Sequence, residues 1–194
     1  MYKTFLLIRH GKTQGNLERR YLGDLEEPLC ELGAREALVQ SRRMPAVDRL
    51  FTGTARRCRQ TAELLFPAVL AEPCQLTEID FGIFKGKNAA ELQGNREYEQ
   101  WLATHCTGDI PGGDSVVAFK ERSCKIFAQT AANCGPGTTA FVLHDGNIMA
   151  IMERFALPKR GFYSHHLQNC GFWLCRWENE HLYHTEEGCG EWSL

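Results

Sequence analysis

The amino-acid sequence predicts an α/β fold, namely a three-layer α/β/α sandwich with a mainly parallel central sheet and a small cap insertion. Two apolar runs of strand length, residues 4–8 and 138–143, are each followed at once or within two residues by a histidine. Short continuous apolar runs are typical of strands that are buried on both faces, as in parallel sheets. Segments with helical periodicity lie between the two runs, which is the alternation that α/β proteins show.

The first half of the chain supplies further elements of this alternation. Residues 31–43 have a helix-forming composition and are closed by Pro45, and residues 48–52 predict a second short strand. Between residue 54 and Pro67 the apolar residues recur at three- and four-residue steps. This spacing predicts an amphipathic helix, which the proline ends.

The stretch from about residue 74 to residue 113 lacks a long apolar strand. It holds a glycine-rich turn at residues 81–86 and two short helical stretches, one of them around residues 98–102. We expect this stretch to be a cap over one edge of the sheet. We therefore predict a single domain over residues 1–194, because a chain of this length commonly forms one domain.

The remainder of the chain returns to the regular alternation. A helix is predicted from about residue 116 to Gly135, and a second one after His144. Residues 171–177 and 181–184 predict a hairpin of closing strands.

Composition excludes several classes of partner. The formal net charge of -2 favours neither nucleic acid nor an anionic membrane. The longest apolar run is far shorter than the roughly 20 residues that span a bilayer, and no signal peptide is evident. Nine cysteines without a Cys-x-x-Cys pair indicate reduced, structural thiols. We expect a cytoplasmic protein; nothing in the sequence predicts its oligomeric state.

The residues at the strand ends favour a phosphate site. If the strands are parallel neighbours, then Arg9, His10, His144 and one arginine of the pair Arg56 and Arg57 converge on one edge of the sheet. Helix N-termini at this edge add N–H groups that bind anions. Neither a carboxylate-rich magnesium shell nor a Walker loop is present in the sequence, so we expect no metal and no cofactor.

A histidine beside arginines tends to stay neutral, and a neutral imidazole is a nucleophile that can attack phosphorus. The departure of the leaving group requires a proton. Glu78, just before the glycine-rich turn, is the best-placed acid for this step.

Five motifs in one order resemble the histidine phosphatase (phosphoglycerate mutase-like) superfamily. Residues 9–16 match its Arg-His-Gly-x-Thr-x-x-Asn signature, and residues 57–62 resemble its Arg-Ala-x-x-Thr-Ala. Residues 76–82 look like the segment that carries its acid, residues 111–115 resemble its Pro-Gly-Gly-Glu-Ser, and residues 142–146 resemble the segment with its second histidine. The resemblance covers nearly the whole chain.

The resemblance implies a role for each matching residue. His10 would be the nucleophile that becomes phosphohistidine, and Glu78 would protonate the leaving oxygen and later activate water. The phosphate would be bound by Arg9, Asn16, Arg57, His144 and the backbone at Asp145. The candidates for the substrate pocket are Thr13, Arg20, Tyr21 and Phe84.

The sequence departs from the pattern of the superfamily at three places. Asp145 stands where the family more often has glycine, and its carboxylate would oppose a phosphate unless it points away. The pair Phe84-Lys85 replaces a common Trp-Glu, and Gly53 replaces a common serine. None of these changes removes a catalytic group.

The function predicted from these features is phosphomonoester hydrolysis on a small phosphorylated metabolite. Two alternatives are a cofactor-dependent phosphoglycerate mutase and a non-catalytic module that binds phospho-ligands. The short stretch between Glu78 and Pro111 favours the phosphatase, because the true mutases of the family carry a longer insertion. Residues 21–29 and the compact length resemble the α-ribazole phosphatases. The histidines at 165, 166, 181 and 184 are predicted to lie on surface loops and strands and not to bind metal.

Overall fold

A computed structural model describes residues 2–188 of the chain. Seven strands form one sheet in this part: β1 (Lys3–Arg9), β2 (Arg49–Thr52), β3 (Ala71–Pro73), β4 (Gly137–Leu143), β5 (Ala156–Leu157), β6 (Phe172–Glu178) and β7 (His181–Gly188). Their order across the sheet is β3-β2-β4-β1-β6-β7-β5. Only β6 runs against the other described strands, so the predicted mainly parallel α/β fold is confirmed.

The helices of the described part alternate with these strands. They are α1 (Gln14–Leu17), α2 (Glu31–Ser41), α3 (Arg56–Leu65), α4 (Arg96–Ala103), α5 (Val116–Ala132) and α6 (Asp145–Phe155), with 3₁₀ turns at Gly82–Phe84 and Phe162–His165. The helices and strands predicted outside the cap stretch are all present, with ends that differ by at most four residues. The sequence did not predict β3, β5, α1 and the second 3₁₀ turn, because elements of two to four residues are too short to show a period.

The central strand β1 is buried on both faces, as its apolar run predicts. Phe5 and Leu7 join a core that includes residues of α5 and α6, whereas Leu6 and Ile8 join a core that includes residues of α2 and α3. Successive side chains of a strand point to opposite faces of the sheet, so one strand contributes to both layers. The result is the three-layer arrangement.

The cap stretch has a hydrophobic cluster of its own. Phe84, Leu92, Tyr98 and Trp101 pack together there, and Phe119 of α5 joins them. The cap therefore packs on the sheet domain through α5. The single-domain organisation of residues 1–194 stays a prediction.

Within residues 2–188, no helix has the length and the apolar composition needed to cross a membrane. The eight cysteines in this part of the chain are all free thiols.

Candidate active site

The two histidines meet because β1 and β4 are parallel neighbours in register. Arg9 pairs with Leu143, and the His10 N–H donates to the Leu143 carbonyl at 2.9 Å. The next residue after each strand is therefore a histidine at the same edge of the sheet. The rings of His10 and His144 lie 5.3 Å apart between centroids, and both side chains are buried.

Arg57 joins the two histidines from the first turn of α3. Its Nε lies 3.3 Å from His10 Nε2, and its Nη2 lies 3.2 Å from His144 Nδ1. The guanidinium is fully buried, and it also donates to the carbonyls of Leu25 and Gly23 at 2.7 Å each. These carbonyls partly offset the cost of burying the charge.

The strand pattern left open which arginine of the helix enters the site, and the resemblance to the superfamily predicted Arg57. Arg56 and Arg59 are exposed, so Arg57 is the one that lies beside the histidines. Residue 57 faces the sheet edge together with Thr61, one helical turn later. The Thr61 hydroxyl donates to the Arg57 carbonyl at 2.6 Å and accepts from the Gly11 N–H at 2.9 Å. Thr61 thus ties α3 to the turn that follows His10.

The hydrogen bonds of His10 define its reactive nitrogen. Nδ1 lies 2.8 Å from the Gly11 carbonyl oxygen, which can only accept, so Nδ1 carries the proton. Nε2 is then the nitrogen with the lone pair. Burial first, and then the charges of Arg57 and Arg9, hold the pKa of His10 well below its ordinary value of 6.5. The imidazole is therefore neutral, as the sequence predicted.

His144 is held neutral by the same causes. Burial lowers its pKa well below 6.5, and Arg57, His10 and Arg9 lower it further. Its Nδ1 lies 3.6 Å from Glu78 Oε2, so the second histidine connects Arg57 with the predicted acid.

Glu78 reaches the site from the loop that follows β3, at the start of the cap stretch. Burial raises the pKa of its carboxyl from 4.5 to about 7, and the neighbouring charge of Asp145 acts in the same direction. Its Oε1 accepts from the Ile79 N–H at 3.0 Å. A Cβ at Gly146 would lie 2.9 Å from this oxygen, so the absence of a side chain at 146 makes room for the acid.

The carboxylate of the unusual Asp145 is held by residues 166 and 167 and by Arg9. Its Oδ1 accepts from the Leu167 N–H at 3.0 Å, and its Oδ2 lies 2.6 Å from His166 Nδ1. Arg9 Nη1 lies 3.5 Å from Oδ2 and also donates to the Leu167 carbonyl at 2.5 Å. The carboxylate therefore engages Arg9 from the side, and α6 begins at Asp145 with its first turn on the cavity.

Asn16 lies at the third residue of the short helix α1. Its Oδ1 accepts from the Thr13 N–H at 3.1 Å and from Asn169 Nδ2 at 3.2 Å. Because the oxygen is engaged twice, the amide nitrogen is the group of Asn16 that remains to bind an anion. Asn169 also donates to the His10 carbonyl at 3.0 Å, and no motif in the sequence pointed to it.

Six of these groups line one cavity of about 350 Å³, whereas His144 and Asn169 are not among its lining residues. The phosphate-site residues on its wall are Arg9, His10, Asn16, Arg57, Glu78 and Asp145. Of the predicted substrate-pocket residues, Arg20 and Tyr21 also line it.

Two predicted substrate-pocket residues do not line this cavity. The prediction for Thr13 is wrong because the side chain is fully buried as the cap of α1, where its hydroxyl accepts from the Asn16 N–H at 3.2 Å. The prediction for Phe84 is wrong because its ring is buried inside the cap cluster, 5.3 Å from the ring of Tyr98. Both residues support neighbours of the cavity from behind.

The outer wall of the cavity was largely missed from the sequence. It carries Phe81, Trp101, Phe119, Met149, Phe162 and Tyr163. These residues come from the cap, α4, α5, α6 and the second 3₁₀ turn, so no local pattern joins them.

One of the histidines outside the site also differs from its prediction. His165 is buried and not on the surface, because the Trp173 ring packs at 6.2 Å and the Trp173 Nε1 donates to the His165 carbonyl. Among residues 2–188, no three His, Cys, Asp or Glu side chains form a cluster suited to a metal ion.

The fold and the paired histidines around a buried arginine define a class of protein, which is identified by comparing the chain with known protein families. The family model of the histidine phosphatase superfamily (branch 1) matches residues 5–186. The chain belongs to this superfamily, and the resemblance seen in the sequence is confirmed.

Some curated proteins of similar sequence are named as mutases. The chain is 33% identical over 126 residues to a protein of Cronobacter sakazakii named "Probable phosphoglycerate mutase GpmB"; the match covers 60% of this chain and 57% of that protein. It is 29% identical over 144 residues to a 2,3-bisphosphoglycerate-dependent phosphoglycerate mutase of Nitrobacter winogradskyi, with 68% of this chain and 70% of that protein covered. The chain thus spans less than two thirds of the length of the first of these relatives.

Some solved structures with the same fold are of proteins that are named as phosphatases. The α-ribazole phosphatase of Shigella flexneri superimposes with a TM-score of 0.84 at 18% identity, covering 94% of each chain. The phosphoserine phosphatase of Entamoeba histolytica, solved with 3-phosphoglyceric acid, gives a TM-score of 0.83 at 19% identity, with 97% of this chain and 98% of that chain covered. At these identities the likeness concerns the fold.

Proposed function

We propose that the protein hydrolyses phosphate monoesters of small metabolites through a phosphohistidine on His10, with Glu78 as general acid and base. One observation carries the proposal: a neutral histidine and a carboxyl with a pKa of about 7 lie on one cavity with two arginines. The histidine provides the nucleophile, the carboxyl provides the proton, and the arginines provide charge for a phosphate.

In the first step, His10 Nε2 attacks the phosphorus atom and the bond from phosphorus to the ester oxygen breaks. The proton of Glu78 moves to that oxygen, so the leaving group departs as a neutral alcohol. Arg57 Nε, which lies 3.3 Å from His10 Nε2, exchanges this contact for a phosphate oxygen.

In the second step, a water molecule attacks the phosphohistidine. The Glu78 carboxylate takes one proton of this water, the bond from Nε2 to phosphorus breaks, and inorganic phosphate leaves. The enzyme returns to its starting state with Glu78 protonated. Positioned proton transfer of this kind contributes roughly 10²–10⁴ in rate.

The other polar groups of the site would hold the three phosphate oxygens that neither attack nor leave. Arg9 and Arg57 supply the positive charge, and the Asn16 amide and the N–H groups at Asp145 supply hydrogen bonds. His144, the further ligand that the resemblance implies, lies outside the cavity lining and contacts Arg57 Nη2 through its Nδ1 at 3.2 Å. The proposed cycle uses no metal and no cofactor.

A phosphoglycerate mutase is the second candidate, because the named curated relatives support it. A mutase returns the phosphoryl group of the histidine to a second hydroxyl of the substrate, whereas a phosphatase gives it to water. Incubation with 3-phosphoglycerate and 2,3-bisphosphoglycerate separates the two: a mutase accumulates 2-phosphoglycerate, and a phosphatase accumulates inorganic phosphate.

The direct test is release of p-nitrophenol from p-nitrophenyl phosphate at pH 6 in the presence of EDTA. We expect turnover by the wild type and a loss of at least about 10³-fold in His10→Asn. A matched control is His181→Asn, which changes a histidine outside the cavity lining and should retain wild-type turnover. Equal rates in wild type and a folded His10→Asn variant, or phosphate binding without any turnover, would contradict the proposal. The second result would favour the non-catalytic phospho-ligand module.

A further inference from the structure

The part of the cavity beyond the phosphate groups forms an outer chamber with an aromatic wall. The wall consists of Tyr21, Phe81, Trp101, Phe119, Phe162 and Tyr163. We propose that this outer chamber selects phosphate esters whose alcohol carries an uncharged aromatic or apolar group and no carboxylate. The inference rests on the proposed phosphatase function, since it concerns the leaving group of that reaction.

Five of the six rings of the wall form two groups, which belong to separate elements, and Phe119 lies on α5. Tyr21 lies 4.9 Å from Phe81 and 5.9 Å from Trp101 between ring centroids, and these three rings belong to the cap side. Phe162 and Tyr163 lie 5.0 Å apart on the 3₁₀ turn that follows α6. Aromatic groups of a ligand pack favourably on such rings, stacked or edge to face.

The polar group of the central ring is already engaged. The Tyr21 hydroxyl lies 2.9 Å from the Tyr98 hydroxyl, and burial is the first cause of its raised pKa. Tyr21 therefore contributes an uncharged aromatic ring to the wall of the chamber.

Arg20 lines the cavity, but acidic neighbours occupy its guanidinium. Its Nε donates to Glu18 at 2.6 Å, and its Nη1 and Nη2 donate to Glu91 at 2.6 and 3.0 Å. Its Nη1 also donates to the Gly86 carbonyl at 2.7 Å. One positive and two negative side chains give this group a net charge of -1, which repels a carboxylate.

The other arginines on the described cavity wall belong to the phosphate end. Arg9 and Arg57 would be occupied by the phosphate, and the nearby Asp145 adds negative charge. A substrate carboxylate beside the phosphate would have to leave water without a free cation to pair with. Burying an unpaired charge is costly, whereas burying an apolar ring is favourable.

The inference is tested with esters of primary alcohols, so that leaving groups of similar reactivity are compared. The three substrates are 2-phenylethyl phosphate, propyl phosphate and phosphoserine, and kcat/KM is measured for each at pH 6 by phosphate release. We expect 2-phenylethyl phosphate to exceed propyl phosphate by at least about tenfold, and phosphoserine to fall below propyl phosphate. A preference for phosphoserine, or equal values for the phenylethyl and propyl esters, overturns the inference.

Variants at the rim assign the preference to the wall. Phe162→Ala and Tyr163→Ser change half-buried and exposed rings, so neither removes core packing. We expect each to reduce the ratio of phenylethyl to propyl kcat/KM by about threefold or more. Tyr2→Ser is the matched control, because Tyr2 is an exposed tyrosine outside the cavity lining, and its ratio should equal that of the wild type. Wild-type ratios in both rim variants would also overturn the inference.

Failure of this inference differs from failure of the proposed function. If the wild type hydrolyses the esters with the reverse order of preference and His10→Asn hydrolyses none of them, the proposed reaction stands and the inference about the outer chamber is wrong. If no ester is hydrolysed by the wild type, the proposed function itself fails.

Discussion

The Asp145 carboxylate lies 3.5 Å from Arg9 Nη1, at the edge of the candidate phosphate site. A residue that the family more often replaces with glycine thus places a negative charge beside one of the two arginines at the phosphate end of the cavity. The same charge contributes to the raised pKa of Glu78. Asp145 therefore links the strength of phosphate binding to the protonation of the proposed acid.

We predict that Asp145→Asn tightens the binding of inorganic phosphate by about threefold to tenfold. The amide keeps the shape of the side chain, but the charge that opposes the phosphate is gone, and a difference of this size is typical for nearby charges of a partly buried site. The measurement is the competitive inhibition constant of phosphate at pH 6. Asp109→Asn, an exposed aspartate outside the cavity lining, should leave the constant unchanged. Weaker or equal binding in Asp145→Asn would show that Asp145 chiefly positions Arg9.

The pH dependence of hydrolysis should follow the proposed acid. Because the pKa of Glu78 is about 7, its proton is present below pH 7 and is lost above it. The pKa of His10 lies well below 6.5, so the nucleophile stays neutral at pH 6. We therefore predict that kcat/KM falls about tenfold per pH unit above about pH 7.

This pH prediction is checked by measuring kcat/KM between pH 4.5 and pH 9, with the ionisation of the substrate titrated separately. Glu78→Gln has no carboxyl to titrate, so its low residual rate should lack the fall above pH 7. An activity that keeps rising above pH 8, or the same fall in Glu78→Gln, would exclude Glu78 as the proton donor.

The phosphate end of the site was predictable because its residues are neighbours of strand ends. Arg9 ends β1, and His10 and His144 directly follow β1 and β4. The apolar runs alone indicate that such strands are buried and parallel. Arg57 was selected by the resemblance of residues 57–62 and not by the strand pattern, since three arginines lie within one turn of α3 and the helix phase decides which one is buried.

The outer chamber was not predictable in the same way. Trp101, Phe119 and Tyr163 belong to α4, α5 and a 3₁₀ turn, and their meeting depends on how the cap packs against α5 and α6. Thr13 and Phe84 were misplaced for a related reason. A residue beside a motif in the sequence can face the interior, and neither a helix cap nor a buried ring has a local signature.

The buried Glu78 should reduce the stability of the fold at alkaline pH. A carboxyl whose pKa is raised in the folded state binds its proton more tightly there than in the unfolded chain. Its contribution is complete below about pH 4.5 and is lost as the pH rises to about 7. The shift corresponds to about 3 kcal/mol of unfolding free energy.

We therefore predict that the unfolding free energy of Glu78→Gln, minus that of the wild type, is larger at pH 8 than at pH 4.5 by about 2–3 kcal/mol. Urea unfolding at both pH values measures this quantity. Glu63→Gln changes an exposed glutamate of α3 and should show no such dependence. A difference between Glu78→Gln and the wild type that is the same at both pH values would mean that Glu78 is ionised in the folded protein at pH 8 without cost.

Gly33 illustrates how packing reverses a prediction made from helix propensity. It lies in the first turn of α2, where alanine would add about 1 kcal/mol of helix stability. A Cβ at this position would lie 2.1 Å from the Lys12 carbonyl oxygen, two residues after His10. We predict that Gly33→Ala destabilises the fold by about 1–3 kcal/mol and lowers kcat/KM, because α2 or the loop after His10 must move.

Gly161→Ala is the control for this prediction. A Cβ at residue 161 meets no atom within 4 Å, so the change should alter stability by less than about 0.5 kcal/mol. Urea unfolding and p-nitrophenyl phosphate turnover of both variants check the prediction, and a Gly33→Ala protein with wild-type stability and activity would show that α2 can withdraw from this loop without cost to the site.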